Sequence, residues 1–158
     1  MKKSSEKLSG GFTLIEVLIV IAILVLIAGI VIVSINPARQ FSQARDAQRL
    51  VDVSSILNSI GQNIIENKGI FMCEGQEKVI SDEVKTIKSP EDADGIDLYD
   101  CLVPKYLVEM PVDPKDGSLP DSGGNYNTLY TIEKVEEGRI KISATAEIAE
   151  NSPISVTR

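Results

Sequence analysis

The chain has 158 residues, 43% of them hydrophobic, with 23 acidic against 16 basic side chains and a formal net charge of −7. It contains no histidine, the side chain most often used as a general base, and no phosphate loop or GxSxG elbow, so no enzymatic activity is expected. The acidic balance also argues against extensive contact with phosphates, and no direct nucleic-acid binding is expected.

The charge is unevenly spread. Residues 1–11 form a short leader carrying Lys2, Lys3, Lys7 and Glu6 and closing on Gly10-Gly11. From Phe12 to Ile35 the only ionisable side chain is Glu16. As a helix that run would measure about 36 Å, more than the roughly 30 Å of a hydrocarbon core. It reads as a membrane-spanning helix and not as a secretory signal, whose apolar part is about 7–15 residues long and is followed, not preceded, by small residues. The basic leader suits a cytoplasmic N-terminus, although Arg39, Arg45 and Arg49 beyond the other end nearly balance the count. The expected topology is a single pass with the C-terminal domain outside. A carboxylate in hydrocarbon costs roughly 2.5–3.5 kcal/mol, so Glu16 needs either a route to the interface, one turn away, or a partner.

The stretch KLSGGFTLIEVLIVIAILVLIAGIVIVSINPARQ resembles the N-terminus of type IV pilins and of type II secretion pseudopilins, both made as prepilins. The matching features are the basic leader, Gly11 before the aromatic Phe12, then Thr13 and Leu14, and Glu16 as the fifth residue after the glycine. The resemblance implies that a prepilin peptidase cuts between Gly11 and Phe12 and N-methylates Phe12. It further implies a homo-oligomeric helical filament (fimbrium), built on a pilus or secretion platform in the inner membrane and ending as an extracellular or periplasmic fibre. Glu16 would then pair with the Phe12 amine of a neighbouring copy, neutralising both groups and fixing axial register. The expected role is that of a structural subunit serving adhesion, motility, secretion or DNA uptake. The alternative is a single-pass membrane-anchored ectodomain that binds a ligand or partner without polymerising.

Gly29 and Asn36-Pro37 interrupt the apolar pattern and predict either a kink or stretched segment, or an Asn36 cap with Pro37 in the first turn of a second helix. Beyond them Leu50, Val53, Leu57, Ile60 and Ile64 recur at alternating three- and four-residue steps, preceded by Phe41, Ala44 and Ala47, with Arg39, Arg45, Arg49 and Asp52 on other faces. This spacing predicts an amphipathic helix over 37–69, stopping near Asn67-Lys68-Gly69 and packed through its apolar face on the protein's own sheet. Joined to the first segment it would form one rod of about 55 residues.

Residues 70–158 are expected to form a loop-rich connector and a small antiparallel sheet. Residues 71–107 mix short apolar pieces with acidic turns, while 106–117, "YLVEMPVDPKDG", resembles the segment before the sheet in major pseudopilins. "LYTIEKV" (129–135) and "RIKISATAE" (139–147) flank Glu136-Glu137-Gly138 and predict a hairpin. The fold class is therefore α+β, pilin-like, divided as leader 1–11, transmembrane and filament-core helix 12–36, amphipathic helix 37–69 and sheet domain 70–158. Cys73 and Cys101, both outside the membrane segment, are a candidate disulfide whose loop closure is worth roughly 3.5 kcal/mol, the alternative being two free thiols. No cofactor is expected. The acidic groups Asp92, Asp94, Asp97 and Asp100, and Asp113, Asp116 and Asp121, admit calcium as a weak reading against a solvated acidic surface.

Overall fold

The computed structural model describes residues 11–158, in two compact units, one ending at Gln40 and one spanning Phe41–Arg158. Except for Gly11, the expected leader lies outside the described residues.

In the first unit, helix α1 covers Leu14–Ile35. Its side chains are aliphatic almost throughout, and Gly29 does not interrupt it. It stops at Asn36, whose φ of 48° lies in the left-handed region that asparagine tolerates better than most residues. Pro37 then opens helix α2, Pro37–Glu66. The Arg39 amide donates to both the Asn36 carbonyl (3.1 Å) and Asn36 Oδ1 (3.3 Å), so Asn36 ends one helix and caps the next. The expected single rod is thus two helices, of 22 and 30 residues. The cause is local: Pro37 has no N–H to give and its ring disfavours a helical Asn36.

The second unit packs α2 on a sheet. Val53, Ile56 and Ile60 are fully buried with Leu57 beside them, whereas Leu50 is 48% exposed and Phe41, Ala44 and Ala47 are also exposed. The first half of α2 therefore turns the opposite way from the expectation. Its inward positions are Asp46, Arg49 and Asp52, at 4, 3 and 7% exposure, so two of the four charges expected on other faces, Arg49 and Asp52, are buried, while Arg45 is half-buried and Arg39 exposed. The helix ends where Lys68 and Gly69 adopt φ of 60° and 97° and the Gly69 amide returns to the Ile64 carbonyl at 2.8 Å.

Five strands form the sheet: β3 (Lys85–Ser89), β4 (Gly95–Ile96), β5 (Tyr126–Lys134), β6 (Ile140–Ala144) and β7 (Ile154–Thr157), in spatial order β4-β3-β5-β6-β7. The β5–β6 hairpin pairs Thr131 with Ser143 and Lys134 with Ile140. The sheet is mixed, not purely antiparallel, because β4 runs parallel to β3. The connector also holds a two-stranded ribbon, β1 (Met72–Cys73) with β2 (Gln76–Glu77), and a one-turn helix α3 (Tyr99–Leu102). Ile87, Tyr130, Ile132, Ile142 and Ala144 from the sheet and Leu98, Leu102 and Met110 from the connector complete the core under α2.

Candidate assembly site

Thr13 precedes α1 in extended conformation and accepts the Glu16 amide on its hydroxyl at 3.3 Å. Glu16 answers with Oε2, which takes the Thr13 amide and the Thr13 hydroxyl, each at 3.4 Å. This reciprocal capping box ties down donors that the first helical turn would leave open, and it puts a negative charge at the positive end of the helix dipole. The sequence carries its T-x-x-E signature, which the sequence reading left unused. Phe12, just outside the cap, is 84% exposed. Beyond it Leu14–Ser34 is long and apolar enough to cross a membrane, and no part of that span is buried.

A family model described as the prokaryotic N-terminal methylation motif matches residues 7–32. The chain carries the prepilin signature of type IV pilins and pseudopilins. No curated protein and no solved structure matches it. For this pilin-like precursor the motif implies processing by prepilin peptidase, and the apolar α1 fits a membrane-anchored pilin. Its α+β layout, a long apolar helix, a further helix and a C-terminal sheet, is pilin-like as well.

The remaining candidates are distributed through the sheet domain. Cys73 of β1 and Cys101 of α3 are joined in a disulfide. The weak calcium candidates part company. Asp113 is buried, and its carboxylate is occupied by Arg49 at 2.6 and 3.1 Å and by the amides of Lys115 and Asp116 at 2.9 and 3.0 Å. Asp121 Oδ1 accepts the amides of Gly123 and Asn125 at 2.8 and 2.9 Å, and Asp92 pairs with Lys88. Among the described residues no group of three or more His, Cys, Asp or Glu side chains is arranged to hold a metal ion. Asp113 is the counter-ion of a buried arginine.

That arginine organises a network the sequence reading missed. Arg49 Nη1 also bonds Asp46 at 2.7 Å and Glu147 at 3.1 Å, and Asp46 accepts the amides of Glu147 and Ile148. Arg45 grips Glu147 with both arms, at 2.5 and 2.6 Å, while the Ser42 hydroxyl donates to the same carboxylate. Farther along α2, Asp52 accepts the Tyr130 hydroxyl and the Gln48 amide, each at 2.7 Å. The pattern had a trace in the sequence, since positions 45, 49 and 52 fall in register with the core positions Val53, Ile56 and Ile60.

Charge pairing sets the acid limit of the fold. The two-armed bond to Arg45 holds Glu147 down at about 2 from its ordinary 4.5, against the opposing effect of desolvation. Burial pushes Asp46 and Asp113 upward, but the backbone amides and Arg49 outweigh it and keep both below the usual carboxylate range. A carboxyl depressed in the folded state stabilises fully above its unfolded value, and that stabilisation disappears as pH falls through its folded value. The Phe41–Arg158 unit is therefore expected to lose thermal stability progressively from about pH 4.5 down to about 2. Melting followed by near-ultraviolet circular dichroism across that window checks this; a flat melting temperature would contradict it.

Proposed function

We propose that the chain is a structural subunit, not an enzyme, of a type IV pilus-like or pseudopilus filament, homo-oligomeric and polymerised through α1 for adhesion, motility, secretion or DNA uptake. The observation that carries the reading is the methylation motif over residues 7–32, whose part from Leu14 onward lies on an apolar helix with no buried part. In lipid such a surface is solvated by acyl chains; outside lipid it needs other apolar helices, and sister copies of α1 supply them. The outward apolar face of α2, Phe41, Ala44, Ala47, Leu50 and Val51, supports the same reading, since assembly would cover it. Before assembly the chain waits in the inner membrane with its C-terminal domain outside; the assembly platform and prepilin peptidase are its partners there.

The test is the N-terminus of the protein recovered from its native cells. Peptide mass spectrometry is expected to find N-methylated Phe12 as the first residue, in sheared filament fractions as well as in membranes. Recovery only as the uncut chain beginning at Met1, in membranes alone, would overturn the filament reading and favour a non-polymerising anchor.

A further inference from the structure

Asn63 lies on α2, 2% exposed, and spends three of its four side-chain hydrogen bonds on the two segments that bear the cysteines. Its Nδ2 donates to the Met72 carbonyl at 2.8 Å and to the Cys101 carbonyl at 3.3 Å. Its Oδ1 accepts the Met72 amide at 2.9 Å and the Asn67 side-chain amide at 3.1 Å. Two donors and two acceptor positions are all that an asparagine amide offers, so nothing is left over. Met72 is held on both its N–H and its C=O, as a neighbouring strand would hold it. Phe71 and Leu102, each close in sequence to one cysteine, are core residues at 6 and 0% exposure.

We propose that Asn63 is a positioning residue that brings Cys73 and Cys101 together before the bond exists, so that the disulfide closes on a prearranged site. The bond spans a sequence separation of 28 residues, and without help from a third segment its loop-closure entropy would fall on the oxidation step itself. Here α2 supplies that third segment, and the loop is already closed through Asn63 in the dithiol. Oxidation is two thiol–disulfide exchanges. One cysteine thiolate attacks a small-molecule disulfide and releases a thiolate. The second cysteine attacks the resulting mixed disulfide and releases the other. The two cysteines lose two protons and two electrons, and the small disulfide becomes two thiols. It follows that the reduced domain stays folded around the cysteines.

The experiment uses the full chain in neutral detergent, equilibrated with oxidised and reduced glutathione, quenched in acid and counted by thiol-labelling mass spectrometry. Asn63→Leu, which keeps the bulk and removes the hydrogen bonds, is expected to lower the effective concentration of the two thiols at least about tenfold. Ile142→Val, a core change on β6, is expected to leave it unchanged. Equal values for Asn63→Leu and the parent, or an equal fall in Ile142→Val, would overturn the proposal. Should Asn63→Leu fail to fold, hydrogen exchange on the reduced parent decides. Met72 is expected to keep its slow amide after reduction; exchange there at the rate of an open chain would overturn the inference.

Discussion

Replacing Arg49 by methionine is expected to lower the melting temperature of the sheet domain by about 10–20 °C, from a loss of roughly 3–5 kcal/mol. Methionine fills much of the arginine's volume and keeps the apolar stem, so the effect isolates the charge and its hydrogen bonds. Without the guanidinium, Asp113 and Asp46 stay buried without the positive charge that paired them, and each must ionise at a penalty or take up a proton. Two connections to α2 weaken together, the 113–117 turn and the Glu147–Ile148 segment after β6. Adding Asp113→Asn to the Arg49→Met chain should recover part of the loss, because the uncharged amide oxygen can still accept from Lys115 and Asp116 while the unpaired charge is gone. Thermal melts of parent, single and double variants check this. A single variant within about 3 °C of the parent would show that the network adds nothing net, as fully buried ion pairs sometimes do.

Glu16→Ala is expected to abolish filaments, with assembly falling at least about a hundredfold, while insertion and the fold of the sheet domain persist. The proposed partner is the Phe12 amine of a sister chain, and a charge left unpaired among apolar helices costs a few kcal/mol, ample for that factor. The capping box makes the alanine variant ambiguous alone, since it also loses a cap worth up to about 1 kcal/mol. Glu16→Gln separates the two effects: glutamine can still reach back to the Thr13 amide, but it carries no charge. Electron microscopy of sheared fractions should show no filaments from either variant. Filaments at parental yield from Glu16→Gln would remove charge pairing from the account and leave capping.

How much was readable in advance followed the physics of each element. Long apolar periodicity and the N-terminal motif are statements about neighbours in sequence, so α1, the methylation signature and the β5–β6 hairpin are visible in the residues themselves. The C-terminal half of α2 was visible for the same reason. Its N-terminal half was not, because Arg49 looks like a solvent residue until Asp113 and Glu147, distant in sequence, pair with it, and Asp46 until Arg49 and the Glu147 and Ile148 amides reach its carboxylate. Asp113 is alike: its partner Arg49 lies 64 residues away, and nothing in its acidic surroundings announces it. The β3–β4 pairing went unseen because the two residues of β4 leave no periodicity to count, and the Thr13 cap because the T-x-x-E signature sits inside a run whose apolar character dominates it.

Asn36 also governs how far unwinding can travel along the chain. Helix formation is cooperative because each turn's main-chain bonds brace the next, and unwinding spreads along an unbroken ladder. At Asn36 the ladder is weakened: the residue itself is left-handed, Pro37 contributes no donor, and the Arg39 amide bonds the Asn36 carbonyl and side chain. Fraying that begins among the exposed turns of α1 therefore meets a weak point at Asn36 before it reaches Arg45 and Arg49.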